Sequence, residues 1–332
     1  MQSVAEKNLS VATEEKTEDG SEKKSKKGRK AWTSSDWVLF FMASLSVVFL
    51  AVFAYAPLYG LVLAFKDGDG YLNIAQAITG ASWCGLDNFV AFFSDPDFGN
   101  IMFNTLGLNI LQLFINFPFP IAFAVLMSEL ISDRFKKTAQ TITIFPYFIS
   151  WAVFGGIFLN LLDYDTGIVN TLLYNAGLVS SKKDVLGDPN AFWWIIICTS
   201  LLKGTGWGSV IYVAAIAAIP QELYEAAKID GANRWHKIMY ITVPSIAPTI
   251  TLFFILSVSG ILNNGIEHIW VFQNLNNIER SEVLDTYIYK YGIPQWRYSY
   301  ATAIGLIKSI VSFLLLISGN GVCKKISGKG IY

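Results

Sequence analysis

The 332-residue chain has few charged side chains for its length. Charged residues make up 15% of it, whereas soluble proteins carry about a quarter. Hydrophobic residues make up 53%, and the mean hydropathy is +0.44. This shortage of charge excludes an ordinary water-soluble domain and favours a chain embedded in lipid. The net charge of +0 gives the whole chain no attraction to nucleic acid.

Cysteine and histidine are also scarce. Cys84, Cys198 and Cys323 lie more than a hundred residues apart and form no CxxC pair, so they predict neither a disulfide framework nor a zinc site. His236 and His268 are isolated as well, and we therefore predict no metal site. A membrane enzyme would need a cluster of nucleophile, base or metal ligands, and the sequence offers none. We predict no catalytic residues.

The sequence also lacks two longer patterns. It has no G-x-x-x-x-G-K-[ST] loop, so the chain is not expected to be an ATPase or to bind ATP and Mg²⁺ itself. It shows no convincing internal repeat, which many transporters driven by ion gradients possess. An ion-coupled secondary transporter of a small polar solute nevertheless stays open as the alternative function.

Residues 1–35 are polar and differ from the rest of the chain. They lack the apolar core and cleavage site of a signal peptide, and we predict a disordered cytoplasmic tail. Contact with anionic lipid head groups is the alternative. Residues 36–325 form the predicted membrane domain, and residues 326–332 a short cytoplasmic C-terminal tail. The basic run of the first tail consists of Lys23, Lys24, Lys26, Lys27, Arg29 and Lys30.

The chain contains six apolar segments, each long enough to cross a hydrocarbon core of roughly 30 Å. They predict an all-α, polytopic membrane protein with six transmembrane helices, of which the first reaches outward and the last five form the core. Internal prolines such as Pro57, Pro118, Pro120 and Pro146 are expected to kink them. The predicted spans are residues 37–65, 101–127, 139–162, 192–219, 246–272 and 300–319. A short helix is also predicted over residues 86–93, in the first outer loop.

The distribution of basic residues predicts the orientation. If the N terminus is inside, inner segments hold 17 of the 25 Lys and Arg residues and outer loops hold 6. Such an excess agrees with the positive-inside rule. We therefore predict a multi-pass protein of a bacterial cytoplasmic membrane with both termini in the cytoplasm.

The inner loop between spans four and five, residues 220–244, has the pattern of two helices joined by a sharp turn. Residues 221–229 are good helix formers after Pro220, Asp230-Gly231 supplies the turn, and a second helix is predicted over 233–240, followed by Pro244. Small Ala226 and Ala227 would let a partner approach closely. Glu222, Glu225 and Asp230 offer charge, and Trp235, Ile238 and Met239 are predicted to pack back onto the spans. An ordinary interfacial loop is the alternative.

This loop resembles the EAA motif of ABC-importer permeases, which reads E-A-A, three residues, G, nine residues, I, one residue, L-P. The matching positions are Glu225, Ala226, Ala227, Gly231, Ile241 and Pro244, with Val243 in place of the usual leucine. The resemblance implies a type I ABC-importer transmembrane domain. It also implies that a separate ATPase, which binds ATP and Mg²⁺, docks on this loop.

Further stretches resemble the carbohydrate-uptake branch of that family, within it the oligosaccharide and polysaccharide-fragment permeases. They are residues 57–60, 85–89, 145–151, 206–209, 285–287 and 298–303. The resemblance implies a carbohydrate substrate and three kinds of partner. These are a second, related permease forming a heterodimer, two copies of an ABC ATPase, and an extracellular solute-binding protein.

Polar and aromatic residues inside the spans predict a substrate pathway. In span five, Ser257, Gly260, Asn264 and Glu267 recur at helical spacing on one face. Aromatic side chains that suit a sugar are Tyr147, Trp151 and Trp207, with Lys203 one turn from Trp207. The alternative is that these groups only join helices, for example through a Lys203–Glu267 pair. The run from Asn116 to Pro120 is interpreted as a kink, not a site.

Overall fold

The computed structural model describes residues 33–177 and 181–327, the last two by backbone only. Most of the predicted basic tail, and residues 328–332, therefore lie outside the described residues. Helix already begins at Ser34 and ends at Ser327, two residues beyond each predicted boundary of the membrane domain. The chain divides into two units, residues 1–58 and 59–332.

The described part of the first unit is helical. Helix α1, Ser34–Leu50, begins with a capping box in which the Thr33 side chain accepts from the Asp36 N–H and the Asp36 carboxylate accepts from the Thr33 N–H. A π turn at Ala51–Tyr55 follows, and then a 3₁₀ segment at Ala56–Phe65. The change of helix type coincides with Pro57, which removes a backbone donor from the helical ladder.

The second unit is built from fifteen α-helices within its described residues, and no strand longer than a single bridge is found there. Short helices occupy the connections between the long ones. The helices are α2 Ile74–Gly80, α3 Asp87–Phe93, α4 Phe98–Ile115, α5 Pro118–Ser128, α6 Asp133–Ile144, α7 Trp151–Leu162, α8 Ile168–Asn175, α9 Pro189–Ala217, α10 Gln221–Ile229, α11 Arg234–Lys237, α12 Val243–Ser259, α13 Ile266–Phe272, α14 Ile278–Ser281, α15 Leu284–Gly292 and α16 Tyr298–Ser327.

The long apolar helices confirm the predicted fold class. In the described part of the chain, five helical stretches can cross a membrane by length and composition, and a bent pair raises the number to six. The five are Ser34–Phe65, Phe98–Ser128, Pro189–Ala217, Arg234–Ser259 and Tyr298–Lys325. The short predicted helix at residues 86–93 is present as α3.

Span three is not the single helix that residues 139–162 predicted. Its two parts, Asp133–Phe148 and Trp151–Leu162, meet at an angle of 100°. Pro146 lies in a 3₁₀ turn just before the break, and the Ser150 hydroxyl caps the second helix by accepting from the Val153 N–H. The predicted proline kink is therefore confirmed here, and it is much sharper than an ordinary kink.

Span five also differs from its prediction. It begins at Arg234, because α11 continues through a π turn at residues 238–242 into α12. Pro244 lies inside this continuous helical stretch and does not start a new helix. It ends at Ser259, not at Phe272. Residues 260–265 contain two glycines and two asparagines, which terminate helices, and Gly265 has φ +62°.

Span four, α9, is the centre of the second unit. One core cluster surrounds its first turns and another surrounds its last turn, where Tyr212 and Ile216 meet Ile246 of α12. At Gly206 a side chain would meet the Thr143 carbonyl oxygen at 2.2 Å. Close approach of backbones at small residues is the usual packing of membrane helices, and here it fixes span three against span four.

Candidate functional site

The loop of residues 220–244, called the EAA loop below, forms the predicted helix and turn. Helix α10 covers Gln221–Ile229, as the sequence predicted. Gly231 has φ +75°, and its N–H donates to the Lys228 carbonyl at 3.2 Å. The next N–H, from Ala232, reaches the Ala227 carbonyl at 2.9 Å. These two bonds are a Schellman motif, which needs a left-handed residue where glycine fits best.

Most of the EAA motif is presented to the surroundings. The side chains of Glu222, Glu225, Ala226 and Asp230 are exposed, as are Gly231 and Pro244, whereas Ala227 and Ile241 are half-buried. The exposed carboxylates and the small alanines form one rigidly capped surface. Such a surface can receive a protein partner with basic groups.

The other side of the EAA loop rests on the membrane helices. Ile238 and Ile241 pack against the core cluster at the ends of α9 and α12, together with Tyr224. Trp235 and Met239, by contrast, are 73% and 56% exposed, so the prediction that they pack back onto the spans is wrong. Their positions on the helix turn them away from that cluster.

A large cavity lies between spans two, four and five. Its volume is about 730 Å³, the size range of small-molecule sites. Among the described residues, no Asp, Glu, Lys or Arg lines it. Its polar lining consists of amides, hydroxyls and one indole, from Asn109, Gln112, Asn116, Ser200, Trp207, Tyr212 and Ser257.

The amide side of this cavity was not predicted. Asn109, Gln112 and Asn116 are spaced at three and four residues and share a face of span two. The buried Oδ1 of Asn116 accepts no hydrogen bond from the described residues, while its Nδ2 donates to the Ile197 carbonyl at 3.4 Å. Together the three amides give this side of the cavity hydrogen-bonding groups, which suit a hydroxyl-bearing ligand. The sequence does carry a signal for this side of the cavity. Amide side chains are energetically costly inside an apolar span, and three of them recur here at helical spacing.

The structure places some of the predicted pathway residues at the cavity. Trp207, Ser257 and Gly260 line it. Tyr147 does not, but its ring stacks on Trp207 with centroids 4.6 Å apart. An aromatic face and a set of amides are therefore brought together, although from partly different residues than the sequence indicated.

The Lys203 side chain donates hydrogen bonds at the break in span three. Its Nζ donates to the carbonyls of Pro146 and Tyr147 at 3.0 and 2.9 Å, and also to that of Ile149. It lies 5.2 Å from the ring centroid of Trp151. The ammonium therefore supplies a donor to the Tyr147 and Ile149 carbonyls at the break, and it shares the Pro146 carbonyl with the Ile149 N–H.

Trp151 does not line the cavity either. Its ring stacks on His268 with centroids 3.6 Å apart, and His268 Nε2 lies 2.9 Å from the Thr199 hydroxyl. Lys203 and Glu267 form no ion pair within the described chain, and the Glu267 side chain is exposed. The alternative of a Lys203–Glu267 pair is therefore wrong, because helix α12 of span five ends at Ser259 and Glu267 belongs to the next helix, α13.

The polar stripe predicted along span five is divided by the same break. Asn264 lies beyond the break, and its Oδ1 accepts from Asn109 Nδ2 at 2.9 Å. It therefore contacts a residue that lines the cavity but does not line the cavity itself. Its backbone N–H donates to Asp285 at 2.8 Å, and Asp285 is paired with Lys308 of span six. These contacts hold residues 260–265 against the rest of the unit.

A polytopic helical protein with an exposed acidic loop, and with a largely apolar cavity that carries a few polar groups between its spans, has the features of a membrane transport component. The family described as "Binding-protein-dependent transport system inner membrane component" matches residues 25–327. The chain belongs to this family, and it is a permease subunit of an ABC importer.

Individual relatives agree with this assignment. Protein LplB of Bacillus subtilis (strain 168) is 36% identical over 294 residues, which are 89% of this chain and 91% of that protein. The polygalacturonan/rhamnogalacturonan transport system permease protein YteP of the same organism is also 36% identical over 294 residues, 89% and 90% of the two chains.

A solved structure shows the same architecture. One chain in the crystal structure of a bacterial alginate ABC transporter, in complex with alginate pentasaccharide-bound periplasmic protein, superposes with a TM-score of 0.79. It is 33% identical, and the match covers 90% of this chain and 97% of that one. This likeness confirms the predicted type I ABC-importer fold.

Proposed function

We propose that this permease moves an oligosaccharide across a bacterial cytoplasmic membrane and couples the movement to a separate ATPase through the EAA loop. The cavity between spans two, four and five carries the proposal. Its lining of amides, hydroxyls and an indole gives hydrogen bonds to sugar hydroxyls and a flat face for a sugar ring. A pathway for a free ion would instead be lined by charged side chains or by inward-facing carbonyls.

The relatives support a carbohydrate as substrate. YteP is named for polygalacturonan and rhamnogalacturonan transport. The transporter of similar fold is an alginate importer whose periplasmic protein holds an alginate pentasaccharide. The sugars named for these two proteins differ, so the proposal for this chain is an oligosaccharide in general.

The ATPase partner is supported by a surface of the chain. Glu222 and Glu225 of α10 and Asp230, which follows the helix, are exposed acidic side chains, and they suit a basic groove on an ATPase. We propose two copies of that ATPase, a second homologous permease and an extracellular solute-binding protein. ATP and Mg²⁺ bind the ATPase, and this chain performs no hydrolysis itself.

The orientation is part of the same proposal. The EAA loop must lie in the cytoplasm to meet an ATPase, and the Lys/Arg distribution supports this side. Since helices Arg234–Ser259 and Tyr298–Lys325 follow the loop, two crossings return the C terminus to the cytoplasm. The N terminus then lies on the same side, because six spans separate the two ends.

The test begins with purification of the tagged chain in gentle detergent, with identification of every protein that co-purifies. The recovered complex is placed in liposomes, and uptake of radiolabelled oligosaccharides is measured with ATP on the cytoplasmic side. We expect an ATPase and a second permease to co-purify, and uptake to require ATP but to survive ionophores. Uptake by the isolated chain, driven by an ion gradient, would contradict the proposal and favour a secondary transporter.

A further inference from the structure

Helix α10 is attached to the membrane helices mainly through one side chain. Seven of its nine side chains are exposed, and only Tyr224 and Ala227 are half-buried. The Tyr224 ring packs against the core cluster formed by the last turn of α9 and the start of α12, which includes Ile216, Ile219 and Ile246. A helix held in this way can tilt about the point where it is attached.

The Tyr224 hydroxyl makes a second, directional contact. It lies 2.9 Å from the Thr242 hydroxyl, which belongs to a side chain only 1% exposed. The Thr242 hydroxyl in turn donates to the Lys237 carbonyl at 3.4 Å. Either hydroxyl can be the donor in the shared contact. The two hydroxyls thus form a short chain from α10 into the first turns of span five.

Thr242 occupies a particular place in the backbone. It ends the π turn of residues 238–242, where the Val243 N–H reaches back five residues to the Ile238 carbonyl. Helix α12 starts at the next residue and carries Phe253 and Ser257 to the wall of the large cavity. A displacement applied at Thr242 is therefore applied to a helix that lines the cavity.

A cavity of about 330 Å³ lies beside this attachment. It is bounded by Gln221 and Tyr224 of α10, by Val213, Ile216 and Ala217 of α9, and by Ser128, Glu129 and Lys136 from the ends of spans two and three. The Tyr224 ring therefore packs against the core cluster on one side and faces this cavity on another, so α10 has room to shift about it. The hydroxyl contact then decides whether span five moves with α10 or is left behind.

We propose that Tyr224 and Thr242 form a positioning joint that makes α10 and span five move together, so that motion of the ATPase reaches the cavity. This inference rests on the proposed function, because it requires an ATPase on the EAA loop. It assigns to Tyr224 a task that the exposed motif residues cannot perform. Those residues meet the partner, whereas Tyr224 transmits the motion inward.

The experiment uses the whole reconstituted importer and measures two rates in the same liposomes, ATP hydrolysis and sugar uptake. A galacturonate trisaccharide and a neutral galactose trisaccharide are offered with a radiolabel, and the one that the wild type accumulates serves as the probe. Tyr224→Phe and Thr242→Val each remove one hydroxyl and keep the shape. Tyr174→Phe is the matched control, because it removes a hydroxyl from a tyrosine that is 51% exposed and lies outside the EAA loop.

We expect each single variant to hydrolyse ATP near the wild-type rate but to import about fivefold less sugar per ATP, the size of effect of one neutral hydrogen bond. The double variant should be no worse than either single one, because both remove the same contact. Thr242→Ser should retain the ratio, and so should Tyr174→Phe.

An unchanged ratio of sugar to ATP in both single variants would overturn the joint. So would a ratio in the double variant equal to the product of the two single effects. A parallel loss of hydrolysis and uptake would show a merely structural role and would also overturn it. Failure of the wild-type complex to import either trisaccharide in an ATP-dependent manner would instead count against the proposed function.

Discussion

The EAA loop and the opposite end of span five are both short segments with glycine at a turn, yet their geometry has different origins. At the EAA loop, Gly231 and the residues within five positions of it close the turn by backbone hydrogen bonds. At residues 260–265, the Asn263 N–H also bonds the Gly260 carbonyl locally, at 2.8 Å, but the segment is held in place by distant groups, Asn109 in span two and Asp285 before span six. The comparison separates geometry fixed by local sequence from geometry fixed by packing.

The largest expected effect comes from the local turn. Gly231→Pro forces φ near −65° where the structure has +75° and removes the N–H that bonds Lys228, a change of about 3 kcal/mol or more. We expect ATP-dependent uptake to fall at least about a hundredfold while the spans stay folded. An uptake assay measures the loss of transport, and circular dichroism of the purified complex shows whether the spans stay helical.

Gly177→Pro is the matched control for that variant. Gly177 also has a positive φ, +68°, and its N–H also bonds within a helix end, to Tyr174. It lies outside the EAA loop, so uptake should persist. Normal transport by Gly231→Pro would show that the capped shape of the loop is unimportant.

The second effect tests geometry that depends on distant residues. Lys203→Met removes the ammonium donor from the carbonyls of Tyr147 and Ile149 and leaves the Pro146 carbonyl to the Ile149 N–H. Because a hydrogen bond to a charged group is worth about 1.5–3 kcal/mol, we expect the purified complex to unfold several degrees lower. Lys183→Met, which changes an exposed lysine, should leave the unfolding temperature unchanged. Equal temperatures for both variants would exclude this role of Lys203.

A smaller effect is expected at the cavity. Asn116→Leu removes an amide from the cavity lining, and it should raise the KM for sugar about tenfold with ATP hydrolysis intact. Asn160→Leu is the control, because that exposed amide donates only within its own helix, to Gly156. A KM that does not move would remove Asn116 from the solute pathway.

The smallest effect concerns Asp95, in the connection before span two. Burial raises the pKa of its carboxyl, but hydrogen bonds from the Tyr287 hydroxyl, the Asp97 N–H and the Tyr300 hydroxyl outweigh this and hold the pKa below its usual value. The ionised carboxylate therefore stabilises the fold at pH above the unfolded-state value of 3.8, and the contribution is lost as the pH falls through the lower folded-state pKa.

Asp95→Asn should accordingly lower the unfolding temperature slightly at pH 7. The difference from wild type should shrink as the pH falls below 3.8, where the wild-type carboxyl also becomes protonated. A difference that stays constant across this range would show that the charge of Asp95 is not involved.

The same distinction explains what could be predicted from the sequence. Pro220, the helix formers after it and Asp230-Gly231 act within a few residues, and α10 was predicted to the residue. The 100° bend in span three depends on Lys203, more than fifty residues away, and only a kink at Pro146 could be predicted.

The candidate site could be predicted only in part, because it also depends on packing between residues that are distant in the sequence. The helical spacing of the polar residues in span five predicts one continuous face, although the glycines at 260 and 265 end the helix. In span two, the prolines beside Asn116 indicate a kink, and this interpretation does not identify the amides as a site. Trp207 was predicted, but which side chains meet it depends on how spans two, four and five pack.

The most direct measurement is a cross-link from the EAA loop. Cys84, Cys198 and Cys323 are replaced by serine, Glu225→Cys supplies a single thiol on the exposed edge of α10, and a short photoactivatable reagent is attached in native membranes. The account predicts one cross-linked product that contains an ATPase subunit and grows or fades as ATP is added. Recovery of no ATPase, from membranes in which this variant still imports sugar, would contradict it.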